Sequence, residues 1–207
     1  SDVCSSDLVT WSSQGQEGSG PAGLFLQGYG VYGRIYDTAG NAQGDEFHIN
    51  TTIDWDQRSE IDSRYAVSGL ADGGFVSVWY SGSSYLGDYG VFGQRFAANG
   101  TRVGGEFRLS AMDAGFQTYA NVVGLRDGGF VVSWESTLGD GSDKGVFVRR
   151  FGADGQPLTG DIQVNVVSAG AQQYPHLAAL ADGGFAVTWE SGSQNNGTAI
   201  TWLRRYD

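Results

Sequence analysis

The chain has one cysteine, three prolines and one methionine in 207 residues, and each scarcity excludes a class of protein. Cys4 is the only cysteine, so the chain cannot form an intrachain disulfide. With only two histidines in addition, the sequence gives little support for a zinc centre. No run of 18 apolar residues occurs, so we predict no membrane insertion. Basic residues number 12 against 23 acidic ones, and the net charge of −11 disfavours nucleic acid as a partner.

Glycine, by contrast, is abundant, with 34 residues, and 13% of the chain is aromatic, which is typical of short strands joined by tight turns. One phrase, Asp-Gly-Gly-Phe with a Trp after three intervening residues, recurs at a constant spacing. Its three phenylalanines are Phe75, Phe130 and Phe185. A fixed period near 50 residues indicates a propeller, a solenoid or another repeat array.

Each repeat divides into four strand-like segments, which we name A, B, C and D. Segment A is the apolar run that starts at each of these phenylalanines, and segment B alternates aromatic residues with Arg or Gln. Segment C is an acidic residue followed by alternating apolar residues, as in residues 46–50, 106–110 and 161–165. Segment D, which precedes the Asp-Gly-Gly turn, has small residues that suit a crowded inner strand.

Asp-Gly-Gly between D and A, and Ala-Gly, Asn-Gly or Asp-Gly between B and C, are hairpin signals, so the four segments form an antiparallel meander. We predict an all-β, β-propeller-like array of four-stranded antiparallel blades, with about 3.5 repeats of 55 residues and fourteen strands. The alternative is an open β-solenoid or stacked-sheet array. Residues 1–7 are predicted to be a non-native or disordered segment, and residues 8–207 a single repeat domain. Within this domain we predict a partial blade over 8–64, two blades over 65–119 and 120–174, and a partial blade over 175–207.

Longer loops on a rigid scaffold are the usual place for binding, and the first copy carries an insertion after segment C. This insertion holds Trp55 between Asp54 and Asp56, so we predict a sugar or calcium site there, with Tyr85 and Tyr89 as further ligand-binding aromatics. The alternative is a solvated acidic loop pinned by one aromatic side chain. Another alternative is that the tyrosines only pack their loop down.

Asp88, Asp140 and Asp143 lie in loops between segments A and B and are the candidate calcium ligands, because hard cations take oxygen donors. Ordinary turn chemistry is the competing interpretation, since Asp, Gly and Ser dominate turns. Arg34, Gln94 and Arg149 each precede an acidic residue of segment C by the same interval, which indicates a repeated structural polar pair.

The combined phrases of segments D, A, B and C resemble the roughly 50-residue repeats of very large bacterial secreted and surface proteins. That resemblance implies an extracellular setting and possible calcium association, but it carries no catalytic motif. We therefore expect a non-enzymatic extracellular binding or adhesion module that recognises glycan or protein on one loop face. Exposed edge strands predict self-association. The alternatives are a structural spacer without a ligand and a propeller glycoside hydrolase.

Overall fold

The computed structural model describes residues 6–14, 29–52, 56–58, 66–83, 88–111, 115–137, 139–192 and 199–207. Over these residues the regular secondary structure consists of β-strands, and no helix long and apolar enough to cross a membrane is found among them. The strands are β1 (Ser6–Gln14), β2 (Tyr29–Asp37), β3 (Phe47–His48), β4 (Asp56–Arg58), β5 (Val67–Gly69), β6 (Phe75–Ser83), β7 (Asp88–Phe96), β8 (Arg102–Arg108), β9 (Gln117–Gly124), β10 (Phe130–Thr137), β11 (Lys144–Phe151), β12 (Ile162–Gln163), β13 (Gln172–Ala179), β14 (Phe185–Gly192) and β15 (Ala199–Tyr206).

The strands form four antiparallel sheets, one for each repeat, and in each sheet the neighbours follow the predicted order of segments D, A, B and C. The complete third sheet has the order β9, β10, β11 and β12. Over the described residues the strands number fifteen rather than fourteen, because segment D of the second sheet is divided. Its two parts, β4 and β5, pair with opposite ends of β6.

Neighbouring sheets pack face to face through apolar side chains, so β6 and β10, the segment A strands of the two middle sheets, are buried on both faces. In β10, Val132 and Trp134 pack towards the second sheet, whereas Val131 packs towards the fourth. Trp79 and Trp134 are 1% and 0% exposed. This alternation accounts for the continuous apolar runs of segment A, and the prediction of an all-β fold is confirmed.

Either glycine of an Asp-Gly-Gly turn could take positive φ. Only the first glycine does so, with φ of 87° at Gly128. The second glycine is required for another reason: a Cβ atom on Gly129 would collide with the Phe151 carbonyl oxygen of the neighbouring strand. The Asp127 Oδ1 atom closes the turn by accepting a hydrogen bond of 3.0 Å from the Gly129 N–H.

Polar side chains fix each sheet against the one before it. Arg149 lies 3.7 Å from Asp161, so the predicted polar pair occurs in the third sheet. Both residues also reach the second sheet: Arg149 donates to the Leu109 carbonyl at 3.1 Å, and Asp161 accepts from the Ala111 N–H at 2.9 Å. The Arg149–Asp161 pair is therefore an inter-sheet connection as well as a contact between strands of one sheet. The corresponding residues of the first two sheets contact backbone carbonyls, because Arg34 donates to the Gly44 carbonyl at 3.0 Å and Gln94 donates to the Gly104 carbonyl at 3.2 Å.

Candidate functional site

A β-bulge interrupts the inner strands of the third and fourth sheets at the same place in the repeat. The register of β9 against β10 shifts after Thr118, and that of β13 against β14 shifts after Gln173. Tyr119 and Tyr174 lie in these bulges with φ of 53° and 55°. Positive φ is unfavourable for a bulky side chain, and strain of this kind, on the order of 1–3 kcal/mol, is concentrated at functional sites.

The two tyrosines meet across the sheet boundary. Their rings form an edge-to-face pair with centroids 4.9 Å apart, and Tyr174 is 37% exposed. The buried Asn121 side chain ties the two bulges together by donating to the Tyr119 carbonyl at 3.0 Å and to the Pro175 carbonyl at 2.6 Å. The tyrosine pair is thus a preorganised aromatic surface.

Glu135 supports this tyrosine pair from the end of β10. Its side chain is 2% exposed and accepts hydrogen bonds from Lys144 Nζ at 2.6 Å and from Thr118 Oγ1 at 3.1 Å. The other carboxylate oxygen accepts from the Tyr174 N–H at 3.3 Å. One buried carboxylate therefore holds residues of three different strands, β9, β11 and β13.

Lys144 adds a positive charge beside the aromatic surface. Its ammonium group lies 5.8 Å from the centroid of the Tyr119 ring, and its side chain keeps 28% exposure. Aromatic faces with hydroxyl and ammonium groups around them match a ligand that has both apolar C–H faces and many hydroxyl groups. A saccharide has this chemistry.

In sequence, the five extra residues of the second repeat lie between β4 and Ala66, at the repeat position that Tyr119 and Tyr174 occupy in the next two sheets. Between Arg58 of β4 and Ala66 the chain has seven residues, whereas the third sheet has two between Thr118 and Asn121, a difference of five. The extra residues thus follow β4 in the sequence and do not belong to the connection that precedes it. Six of the predicted ligand-binding or calcium-binding residues come from this loop and from the loop before β7, and the structure describes them to different extents. Asp54, Trp55 and Tyr85 lie outside the described residues, and Asp56, Asp88 and Tyr89 belong to β4 and β7 with side chains outside the description.

The other two predicted calcium ligands lie in the loop before β11. Asp140 accepts hydrogen bonds from the Asn165 side chain at 2.9 Å and from the Ser142 N–H at 3.0 Å, and Asp143 is exposed. Over the described residues no group of three or more His, Cys, Asp or Glu side chains is placed to hold a metal ion. Calcium binding stays a prediction.

A second cluster of charges lies at the opposite, Asp-Gly-Gly ends of the third and fourth sheets, around an open depression of about 510 Å³. Asp127 and Asp182 pair there with Arg150 and Arg205 at 2.7 and 2.5 Å. The hydrogen bond from the Gly129 N–H, followed by Arg150, lowers the pKa of the Asp127 carboxyl group. An Asp–Arg pair recurs at the Asp-Gly-Gly turn of the second, third and fourth sheets, so we interpret these pairs as structural rather than as part of a functional site.

Sequence reasoning did not find the tyrosine pair, Glu135 or Lys144. A signal was present, because Tyr119 and Tyr174 occupy the same position in successive repeats. The small residues that define segment D come after these tyrosines in the sequence, whereas β9 and β13 begin before them, at Gln117 and Gln172.

No protein-family model matches the chain, and no curated protein matches it in sequence. Solved structures do resemble it. A protein of unknown function from Dyadobacter fermentans has a TM-score of 0.63 at 14% identity, over 97% of this chain and 57% of that one. The endo-arabinase of Bacteroides thetaiotaomicron has a TM-score of 0.49 at 14% identity, over 87% and 66%. The family GH43 endo-arabinanase of Bacillus licheniformis has a TM-score of 0.46 at 11% identity, over 99% and 71%.

The chain thus spans 57% and 66% of the length of the first two of these proteins. At these identities the likeness shows the fold, which is all-β and propeller-like. The neighbours with a stated activity are glycoside hydrolases, and this finding contradicts the expectation of a non-enzymatic binding or adhesion module.

Proposed function

We propose that the chain is a carbohydrate-active propeller-like protein of the glycoside hydrolase class and that it holds its substrate across Tyr119 and Tyr174. The observation that supports this proposal is the strained tyrosine pair, with its rings 4.9 Å apart and Glu135 buried beneath it. Five- and six-membered sugar rings stack through their C–H faces on aromatic side chains, and their hydroxyl groups would bond with Lys144 and Thr118.

Hydrolysis of a glycosidic bond uses two carboxyl groups, one on either side of the bond. Glu135 is the carboxylate that the described part of the chain places beneath the tyrosines, and its contact with the Tyr174 N–H makes it a positioning residue. Glu190, its equivalent in β14 of the next repeat, is partly exposed and lies on the far face of the fourth sheet. We therefore assign sugar binding to the two tyrosines. The variants below test which carboxyl groups act as the catalytic acid and base.

The experiment measures two quantities on the full chain with linear arabinan, because arabinan is the polymer that the named neighbours act on. Retardation in an arabinan-containing native gel measures binding, and release of reducing ends measures cleavage. We expect Tyr174→Ala to weaken retardation at least about tenfold, equivalent to about 1.4 kcal/mol. The matched control is Trp202→Ala, which removes a ring that is 48% exposed on β15, and it should bind as the wild type does.

Cleavage is assigned with Glu135→Gln, Asp140→Asn and Glu190→Gln, and circular dichroism must show each variant folded at the assay temperature before its rate is compared. Equal binding by wild type and Tyr174→Ala would reject the tyrosine pair as the site. An absence of both retardation and release on arabinan, xylan and other plant polysaccharides would reject the carbohydrate function.

A further inference from the structure

An exposed aromatic side chain, Phe116, lies just before β9 and three residues before Tyr119. Phe116 is 43% exposed. Its carbonyl accepts a hydrogen bond of 2.9 Å from the Thr137 N–H, and its own N–H donates to Thr137 Oγ1 at 2.8 Å. The preceding Gly115 has φ of 83°, and a Cβ atom there would collide with the Thr137 carbonyl oxygen. The backbone of Phe116 is therefore held in place although much of its side chain is open to solvent.

Strand pairing places Phe116 on the face that carries the candidate sugar site. Thr118 is opposite Glu135 in the register, and Phe116, two residues earlier, has its side chain on the same face as Thr118. Thr137 pairs with Phe116 on one side and with Lys144 on the other, so these three residues form a row across the sheet. A strand rises about 3.4 Å per residue, so this row lies about 7 Å from the row of Thr118 and Glu135.

Lys144 connects the Phe116 row with the tyrosine pair. Its backbone belongs to the Phe116 row, but its ammonium group reaches Glu135 of the next row at 2.6 Å. The same ammonium group lies 5.8 Å from the centroid of the Tyr119 ring. The side chain of Lys144 thus runs from the Phe116 row towards the tyrosines.

The fourth sheet shows that the fold does not require these side chains. Its equivalent row carries no aromatic ring, hydroxyl group or ammonium group and consists of Ala171, Gly192 and Ala199. The backbone contacts are nevertheless the same, because the Gly192 N–H donates to the Ala171 carbonyl at 2.8 Å as the Thr137 N–H does to Phe116. The aromatic ring of Phe116 is therefore a feature of the third sheet and not of the repeat.

We infer that Phe116 is a second sugar-binding position and that the preferred ligand is a saccharide chain of several rings rather than a single sugar. One ring of the chain would lie on the tyrosine pair and another on Phe116, with Lys144 available to the hydroxyl groups between them. The inference rests on the proposed function, because it extends the same site along β9.

The test is isothermal titration calorimetry of the full chain with arabinobiose and with arabinohexaose. Wild type should bind the hexaose at least about tenfold more tightly, because the longer chain spans both positions. Phe116→Ala should abolish this advantage and leave the affinity for arabinobiose, which the tyrosine pair holds, unchanged. Phe116→Tyr keeps the aromatic ring and should bind both sugars as wild type does.

The controls separate this inference from the proposed function. Tyr174→Ala should weaken binding of both oligosaccharides, and Leu158→Ala, which removes a side chain 59% exposed in the turn after β11, should change neither. Equal affinity of wild type for the two oligosaccharides would overturn the inference without reference to any variant. So would unchanged hexaose binding in Phe116→Ala, and a loss in Tyr174→Ala in the same experiment would leave the proposed function standing. Unchanged binding in both alanine variants, or no binding by wild type, would overturn the inference together with the proposed function.

Discussion

Replacing Lys144 by methionine should destabilise the fold through the carboxylate that the replacement leaves behind. Glu135 is 2% exposed, and its oxygen lies 2.6 Å from Lys144 Nζ. At an effective dielectric constant of about 20, charges at that distance attract by roughly 6 kcal/mol. Loss of one partner of a buried pair costs about 3–5 kcal/mol, because the other charge stays buried.

The lower end of this range applies here. Lys144 is partly solvated, and the orphaned carboxylate keeps its bonds from Thr118 and from the Tyr174 N–H. We therefore expect a loss of about 3 kcal/mol, which for a chain of this size lowers the melting temperature by roughly 6–12 °C.

The assay is denaturant and thermal unfolding of wild type and variant, followed by circular dichroism. Arg150→Met is the matched control, because Arg150 and Asp127 also form a 2.7 Å pair but are 32% and 50% exposed. Such an exposed pair contributes on the order of 0–1 kcal/mol. If Lys144→Met and Arg150→Met shift the melting temperature equally, the buried role of Glu135 is refuted.

Two further predictions concern the Asp-Gly-Gly turns. The pKa of Asp127 is lowered below 3.8 in the fold, so the stabilising contribution of its carboxylate is present above pH 3.8 and is lost as the pH falls through the lowered pKa. Asp127→Asn should therefore flatten the decline of the melting temperature below about pH 4. An unchanged dependence of the melting temperature on pH would contradict this. Gly129→Ala should cost about 2–4 kcal/mol in chemical unfolding, because its Cβ would meet the Phe151 carbonyl, whereas Gly105→Ala, with nothing within 4 Å, should stay within about 0.5 kcal/mol of wild type. Equal stability of the two glycine variants would contradict the close approach.

The order of the strands could be predicted because the repeat supplies the same evidence three times. The phrase at Phe130 fixes segment A, the Asp-Gly-Gly turn before it fixes its antiparallel neighbour, and alternation in segment B fixes which side chains share a face. Predicted strand edges were less accurate, since hydrogen bonding extends β10 to Thr137, three residues beyond Trp134. Calcium binding and an extracellular setting stay predictions.

The candidate site was harder to predict because it depends on contacts between repeats. Nothing in the residues around Glu135 shows that its carboxylate reaches Tyr174, 39 positions away in the next sheet. The positive φ of Tyr119 is a second feature that residue type alone hides, because tyrosine is not a residue that turn chemistry favours there. The site was predicted from loop length, because an insertion in the first copy of the repeat holds Trp55. The bulges at Tyr119 and Tyr174 lie in the repeats of ordinary length, so loop length did not indicate them.

The proposal that sugar lies on the tyrosine pair is tested most directly by a crystal structure of the chain with a bound oligosaccharide. The oligosaccharide would be derived from the polysaccharide that binds best in the gel assay. We expect a sugar ring stacked on Tyr174 or Tyr119, with a hydroxyl group within hydrogen-bond distance of Lys144. An oligosaccharide ordered elsewhere, with these rings uncovered, would contradict it.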